Sequence, residues 1–457
     1  MNTLRRAIML PLATLGLLAA CGGDGPTPPP QGITLSGLVR DLVGEPIIGA
    51  TVLVGKSSVT SSSDGTFSIP GVMTPYDITA ILPAQNTAVV YKGLTRSDPA
   101  LLYPDFAGAE RTATISGTAP PAAGSVTNVF FASSGRYALG VGLANATTGQ
   151  YAFTVRWHGS YDTDAGQLYL FRWTTDATGL PTSYDGYASK PLTISAGGDF
   201  SGNDFAAAEL TDPPEQSISG AITVPTSYTL NVRQFYIDIA HVGLYWEEKN
   251  APSNAFTYTV PAQSGLAFTV AAQAVDASSR WSSFHMRISG NSGNVSIPLL
   301  TASQLASPAS GASGVDTTIP FSWTQGQGTG VNVFRVWPGN STSPTYFVFT
   351  TGADAKIPDL AAEGMGLPAG ATYYWQVYRF FPVASVDDAA GEGFRRLITD
   401  PDGGDLGETQ SERFGFTTRI AAGAAFAASV VRPTAAAAEG AQRRGLVMKA
   451  PILAGPR

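Results

Sequence analysis

Short runs of alternating apolar and polar residues recur along the whole chain, and glycine or proline separates each run from the next. Tyr151–Val155 (YAFTV) and Phe256–Val260 (FTYTV) are two examples. Alternation with a period of two places one face of a strand in a core and the other face in solvent. The 51 glycines and 32 prolines supply turns at intervals of about 8–12 residues. This pattern predicts an all-β fold of many short strands.

The chain has 457 residues, enough for about three or four domains. It contains one cysteine, so no disulfide framework within the chain stabilises these domains. Each domain must therefore depend on apolar burial, which about 100 residues can provide. We predict tandem β-sandwiches of prealbumin-like or immunoglobulin-like type over four segments: 32–98, 112–210, 215–300 and 305–418.

The first 20 residues have the layout of a secretory signal. Arg5 and Arg6 precede an apolar run from Ala7 to Leu18, and small residues follow. The apolar run is shorter than the roughly 20 residues that a membrane-spanning helix needs. We therefore expect residues 1–20 to be a cleaved signal peptide rather than a transmembrane helix.

The only cysteine, Cys21, directly follows this run. Leu18-Ala19-Ala20-Cys21 resembles the lipobox of bacterial lipoproteins, in which the thiol is linked to diacylglycerol before the signal is cut. The resemblance implies that Cys21 is lipidated and that the protein is held at a membrane by several acyl chains, each buried methylene contributing about 0.8 kcal/mol. Lipidation also accounts for an unpaired cysteine in an exported chain.

The residues after the cysteine favour an outer-membrane location and a tether. Gly22, rather than aspartate, follows Cys21, and by resemblance to the sorting rule of enteric bacteria this favours the outer membrane of the cell envelope. Residues 21–31 continue as GGDGPTPPPQ after the cysteine. Glycine followed by proline gives a linker that is flexible first and then stiff. We expect it to hold the first module away from the lipid.

The segment 32–98 combines strand patterns with regularly placed turn residues. Asp64-Gly65 predicts a type I′ hairpin, in which both central residues need φ > 0. The segment resembles the carboxypeptidase regulatory-like domain, a prealbumin-like β-sandwich. In that family the domain is an accessory module without catalytic residues, which implies a spacer role here. The matching residues are turn formers or core residues: Gly37, Val39, Asp41, Gly44, Pro46, Gly49, Ala50, Val52, Thr60, Asp64, Gly65, Phe67 and Gly71.

The segments 112–210 and 215–300 share two features and suggest a repeat. Each opens on Ile-Ser-Gly, at Ile115 and at Ile218, and each has an alternating strand at a similar offset, YAFTV or FTYTV. The alternative is two unrelated β-domains with similar strand starts. Strands at this spacing are typical of an immunoglobulin-like or prealbumin-like sandwich.

The segment 305–418 places Trp323 on an early strand and an aromatic-rich strand, YYWQV, after a glycine turn. This arrangement resembles the fibronectin type III pattern. We interpret residues 382–413 as a polar, acidic insertion, and long loops of this kind are often functional or disordered. The alanine-rich residues 420–457 contain too few large apolar side chains for a domain, so we expect disorder or one frayed helix.

Charge excludes one class of partner. The formal net charge is −7, and it becomes −9 when Arg5 and Arg6 leave with the signal. Only 13% of the residues are charged. Binding to nucleic acid needs clustered lysine and arginine, so we expect no nucleic-acid partner.

The sequence shows no catalytic constellation that we recognise. His158, His241 and His285 lie in strand patterns without the spacing of a zinc site. There is no G-x-S-x-G elbow for a serine nucleophile. Asp400, Asp402 and Asp405 could supply oxygen ligands to Ca²⁺, but Gly404 and Ser411 stand where an EF-hand-type loop needs ligands. A solvated acidic loop is the favoured interpretation, and we predict no cofactor.

Aromatic side chains are the remaining candidates for a ligand site. Tyr161, Tyr184 and Tyr187 lie in turn-rich polar stretches, where a tyrosine can stack on a sugar ring beside aspartate. The alternative is that these tyrosines cap the core.

We therefore expect a non-catalytic cell-envelope lipoprotein whose tandem sandwiches form a structural or adhesive stalk with a protein or glycan partner. The second hypothesis is a lipoprotein that binds carbohydrate or peptidoglycan through loop aromatics. The third is an envelope enzyme with an unfamiliar site.

Overall fold

A computed structural model describes residues 32–420 except for 105–107, 134–137, 178–180, 240–241, 251, 289, 291, 341 and 400–403. The predicted signal peptide, Cys21, the tether and residues 421–457 lie outside the described residues. Where it is described, the chain is almost entirely β, which confirms the predicted fold class. Among the described residues, no helix has the length and apolar character to cross a bilayer.

Module 1 is a sandwich of two sheets. The order β4-β1-β7 forms one sheet, and the strands β6, β5, β2 and β3 form the other. Leu35 and Phe67 of the first sheet pack on Val52 and Ile78 of the second. A 3-10 turn at Pro83–Gln85 precedes the sixth strand. The strands are β1 (Ile33–Arg40), β2 (Thr51–Val54), β3 (Ser57–Thr60), β4 (Thr66–Val72), β5 (Tyr76–Leu82), β6 (Thr87–Leu94) and β7 (Ala100–Leu102).

The prediction of a type I′ hairpin at Asp64-Gly65 is wrong. The strand β4 pairs with β1 and not with β3, and only Gly65 has a positive φ, of 77°. Asp64 instead lies within a tight turn between Ser62 and Thr66, where its carboxylate accepts hydrogen bonds from Ser62 Oγ at 2.5 Å and Thr66 N at 3.1 Å. The hydroxyl donors Ser62 and Thr66, together with the Thr66 amide, lower the pKa of Asp64 to about 2.

Module 2 is a single sheet in the order β13-β12-β9-β10-β11-β8-β14. Its two halves enclose a core that includes Ile115, Phe131, Val155 and Leu170. A 3-10 turn follows at Ala207–Glu209. The strands are β8 (Glu110–Thr118), β9 (Ser125–Ser133), β10 (Leu139–Leu143), β11 (Gln150–His158), β12 (Thr163–Thr175), β13 (Pro181–Ser195) and β14 (Asp199–Phe200).

Module 3 again has two layers. The sheet β18-β15-β21 packs on β17, β16, β19 and β20 through Ile218, Phe235, Tyr258 and Phe268. The strands are β15 (Glu215–Thr223), β16 (Tyr228–Ile239), β17 (Val242–Asn250), β18 (Ala255–Pro261), β19 (Leu266–Asp276), β20 (Trp281–Ile288) and β21 (Val295–Pro298).

Module 4 places the sheet β22-β24-β27 on a larger sheet that contains β25, β26 and β28. Trp323 is buried between the layers, and its ring stacks on Phe334 at 6.1 Å between centroids. A 3-10 turn lies at Ala361–Glu363. The elements are β22 (Gln304–Ser307), β23 (Ala312–Val315), β24 (Phe321–Thr324), β25 (Val331–Pro338), β26 (Thr345–Thr350), β27 (Asp354–Ala355), β28 (Thr372–Phe381), α1 (Val386–Ala389), α2 (Glu392–Thr399), β29 (Leu406–Gln410) and β30 (Phe414–Thr418).

Modules 1, 2 and 3 share one pairing scheme around a Leu/Ile-Ser-Gly motif. In each, the first strand pairs antiparallel with a middle strand and parallel with the last one. Ile-Ser-Gly stands at Ile115 and Ile218 in the sequence, and in the structure Leu35-Ser36-Gly37 has the same pairing. The motif glycine always lies opposite an aromatic residue: Gly37 opposite Phe67, Gly117 opposite Tyr151 and Gly220 opposite Phe256.

The motif glycine is required because the last strand lies too close for a side chain. A Cβ built on Gly37 would lie 2.4 Å from the carbonyl oxygen of Pro99, and one on Gly220 would lie 2.2 Å from that of Val295. The ring of the aromatic residue opposite also lies over each glycine. The same Cβ would lie 2.5 Å from a ring carbon of Phe67 at Gly37, and 2.7 Å from a ring carbon of Phe256 at Gly220. A glycine under an aromatic neighbour is a known way to fix strand register.

We predict that Gly220→Ala destabilises module 3 by about 3 kcal/mol, because the new methyl group must push away the backbone of β21. The matched control is Gly293→Ala in the same module, where the nearest atom to the new Cβ is 4.0 Å away. The control should change stability by less than about 0.5 kcal/mol. Urea unfolding of the full chain measures both. Equal midpoints for the two variants would contradict this explanation of the motif.

Candidate functional site

The most informative site is the set of junctions between modules, because contacts run from each module to the next and from the fourth back to the first. Modules 1 and 4 meet in β6 and β26, which pair in parallel over residues 87–91 and 345–349. The rings of Tyr91 and Phe349 stack there at 4.4 Å. The pairing joins the larger sheets of modules 1, 3 and 4 into one sheet, in the order β17-β16-β19-β20-β29-β28-β25-β26-β6-β5-β2-β3.

The short strand β29 connects modules 3 and 4. It pairs with β20 on one side and with β28 on the other, so it fills the gap between two sheets. All of its residues are buried. Gly407 allows the approach to β28, because a Cβ there would lie 1.8 Å from the ring of Phe381. Asp405, just before the strand, accepts a hydrogen bond at 2.8 Å from the amide of Arg287 on β20.

Modules 2 and 3 share a hydrophobic core. Phe171 and Tyr184 of module 2 belong to the same buried cluster as Ile218 and Phe256 of module 3. The Tyr184 hydroxyl donates to the carbonyl oxygen of Thr259 at 2.7 Å. This contact is apolar and extensive, so the two modules are packed as one body rather than joined by a free linker.

Modules 1 and 2 touch through polar groups. The Ser160 hydroxyl donates to Glu45 Oε2 at 3.2 Å, and the Ser160 amide lies 3.4 Å from the same oxygen. Gly159 lies against the side chain of Glu45, where a Cβ would approach to 3.0 Å. This contact closes the circuit of four modules. The modules therefore do not form the extended row that we expected of a stalk.

The acidic insertion 382–413 is ordered where it is described, and our expectation of a long polar loop is wrong. Its apolar residues Val386, Ala390, Phe394 and Leu397 recur at the three- and four-residue spacing of a helix. These side chains pack on the core of module 1, and Phe394 contacts Phe349 and Phe380 edge-on. The acidic residues among them hid this spacing in the sequence.

The acidic side chains of the insertion bind module 1. Asp387 accepts hydrogen bonds from the amides of Thr95 at 2.8 Å and Arg96 at 3.1 Å, and from the Thr95 hydroxyl. Burial alone would raise the pKa of Asp387, but these donors hold it below its usual value. Glu392 forms an ion pair with Arg40 at 3.3 Å. The insertion is thus a clamp between module 1 and module 4.

Glu408 lies in the middle of this junction and is 4% exposed. It pairs on β29 with Ser283 of β20 and Phe380 of β28. Among the described residues, its Oε1 atom has no hydrogen-bond partner. Burial raises the pKa of this carboxyl well above its usual value, so the fold favours the protonated form.

The predicted ligand residues do not form a single site. Tyr184 is buried at the junction of modules 2 and 3, and Tyr187 is half-buried beside the ring of Phe171. Tyr161 lies at the edge of a different cluster, in module 2. A sugar site on these tyrosines stays a prediction.

The predicted metal ligands are only partly described. Asp405 bonds to the backbone as stated above, and Asp400 and Asp402 lie outside the described residues. Within the described part of the chain, no group of three His, Cys, Asp or Glu residues is placed to hold a metal ion. His158 Nδ1 lies 3.2 Å from the carbonyl oxygen of Gly108, His285 is buried on β20, and His241 is outside the described residues.

Comparison with known proteins shows no family. No family model matches the chain, and no curated protein matches it. The resemblance of residues 32–98 to the carboxypeptidase regulatory-like domain therefore rests on the thirteen residues named above.

Solved structures align only loosely. The Bacillus anthracis TIE protein is 11% identical over 59% of this chain and half of its own length, with a TM-score of 0.15. BcpA, the major pilin subunit of Bacillus cereus, is 7% identical over 58% of this chain and 99% of its own, with a TM-score of 0.14. A tetra-tandem repeat from the extending region of a large adhesion protein is 12% identical over 85% of this chain and all of its own, with a TM-score of 0.16. Scores this low mean that the chains do not superpose as wholes.

We predict that Glu408→Gln removes a pH dependence of stability. In the wild type the folded pKa lies above the unfolded value of about 4.3, so stability is complete below that pH and is lost as the pH rises toward the folded pKa. The loss approaches about 1.4 kcal/mol per pH unit. Glutamine keeps the shape of the protonated acid and does not ionise. The free energy of unfolding of the variant should therefore equal that of the wild type near pH 4, and it should exceed that of the wild type by a growing amount as the pH rises.

Unfolding free energies of the full chain between pH 4 and pH 9 measure this effect. Glu363→Gln, at an exposed position in the 3-10 turn, is the control. Parallel pH curves for the wild type and Glu408→Gln would show that Glu408 does not ionise on unfolding.

Proposed function

We propose that this chain is a non-catalytic scaffold of the bacterial cell envelope, anchored in the outer membrane by a lipid on Cys21. The observation that carries the proposal is the closed circuit of contacts between the four modules. A chain that needs only to hold binding surfaces at fixed positions gains from such closure, because no junction can swing freely. We infer that the modules act as one structural unit that presents loops to a protein or glycan partner.

The use of the charged residues supports a scaffold rather than an enzyme. Catalytic acids and bases need access to substrate and a positioned partner. Here Asp387 accepts three hydrogen bonds from module 1, Asp405 binds the backbone of module 3, and Glu408 is buried inside a sheet. These carboxyl groups contribute to junctions between modules.

The position of the anchor adds to this proposal. The predicted tether ends at residue 31, immediately before β1 of module 1, and module 1 lies beside module 4 rather than at the end of a row. A lipid on Cys21 would hold the whole unit near the membrane through module 1. We propose a compact surface scaffold in place of a long stalk.

Fractionation of cells that express the wild type or Cys21→Ala tests the anchor. We expect the wild type in the outer membrane, labelled by radioactive palmitate, and the variant unlabelled in the soluble fraction. Gly23→Ala, two residues beyond the cysteine, is the matched control and should behave as the wild type. A Cys21→Ala variant that stays in the membrane would contradict the proposal. Protease treatment of intact cells then shows which side of the outer membrane the modules face.

A further inference from the structure

A row of aromatic and arginine side chains crosses one face of module 4. Trp337 of β25 and Tyr374 of β28 are direct cross-strand partners, with ring centroids 5.9 Å apart. The guanidinium carbon of Arg335 lies 4.8 Å from the ring of Trp337, and that of Arg413 lies 5.1 Å from the ring of Tyr374. The row therefore has two adjacent rings with a cation at each end.

The row is accessible from solvent. Trp337 and Tyr374 are half-buried, and Arg413 is exposed. The residue paired with Tyr374 on its other side, in β30, is Gly415, and a Cβ there would lie 3.4 Å from the tyrosine ring. A Cβ on Gly339 would lie 3.7 Å from the opposite edge of the same ring. Because both neighbours are glycines, no side chain at these two positions covers the edges of the Tyr374 ring.

Several arginines of the described chain are paired with carboxylates, and these two are not. Arg40, Arg96, Arg280 and Arg419 each form an ion pair with a carboxylate. Within the described residues, neither Arg335 nor Arg413 has such a partner. Arg335 Nη1 reaches only the Tyr378 hydroxyl, at 3.5 Å. A protein with a net charge of −7 therefore keeps two uncompensated cations beside two open rings.

We propose that this row binds an acidic saccharide, with the Trp337 and Tyr374 rings against a pyranose ring and the arginines on its carboxylate. The negative face of an aromatic ring attracts the weakly positive C–H groups of a sugar face. A guanidinium group matches a carboxylate with two parallel N–H donors. Two cations suit one or two carboxylates, whereas a long polyanion such as nucleic acid is repelled by the net charge. This site is independent of the scaffold function, which stands with or without it.

The test is calorimetric titration of the full chain in detergent with digalacturonate, which carries two carboxylates, and with the dimethyl ester of the same disaccharide as a neutral match. We expect binding of the acid, quenching of tryptophan fluorescence, and at least about tenfold weaker binding of the ester. Tyr374→Ala and Arg413→Gln should each weaken binding by about tenfold or more. Tyr374→Phe keeps the ring and should retain most of the affinity.

Two controls separate this site from other causes. Arg419→Gln removes an exposed arginine that is paired with Asp316, and Arg156→Gln removes an exposed arginine that is paired with Glu110. Both should bind as the wild type, and circular dichroism should show that each variant is folded. The proposal is overturned if the acid does not bind, if acid and ester bind equally, if a single-stranded oligonucleotide binds as well as the acid, or if the Tyr374 and Arg413 variants bind normally.

Discussion

The parallel pairing of β6 with β26 is the interaction on which the rest of the arrangement depends. Parallel neighbours cannot be joined by a tight turn, and here the connection between the two strands contains all of modules 2 and 3. Once the pair forms, the two ends of the segment that contains modules 2 and 3 are held next to each other. The pairing also covers edges of two sheets, which would otherwise present unpaired backbone groups to other chains. The parallel pair therefore decides both the closed arrangement and the absence of an exposed edge at that point.

The junction between modules 3 and 4 includes an unfavourable feature, which is a buried carboxyl group. Glu408 lies in the middle of the sheet where β29 joins modules 3 and 4. Its Oε1 atom has no hydrogen-bond partner among the described residues, and burial of a polar atom without a partner is unfavourable. The neighbouring clamp offsets part of this cost, because Asp387 satisfies backbone donors of module 1 and Phe394 fills its core. The same insertion thus contains both an acidic group with three hydrogen-bond donors, Asp387, and one with an oxygen that has no partner among the described residues, Glu408. The insertion is part of module 4 in the sequence, and its residues contact modules 1, 3 and 4.

Much of the fold could be predicted from the sequence, because strand alternation and glycine turns are local signals. The strands around Tyr151, Phe256, Trp323 and Tyr374 lie where the pattern placed them. The junctions could not be predicted, because pairing between distant edges has no local pattern. The two short helices of the insertion gave only a weak signal, because Ala390 and Gly391 separate them and many acidic residues surround their apolar side chains. Turn-rich context made Tyr184 look exposed, although its ring fills a core between two modules.

Hydrogen exchange of the full chain tests the closed arrangement most directly. The amides of residues 87–91 and 345–349 lie in the pair between modules 1 and 4, and neither segment would be covered on that side if the modules formed an extended row. The closed arrangement predicts that both segments exchange as slowly as the interior strands β5 and β25. Rapid exchange of both segments, at the rate of an exposed edge strand, would contradict it.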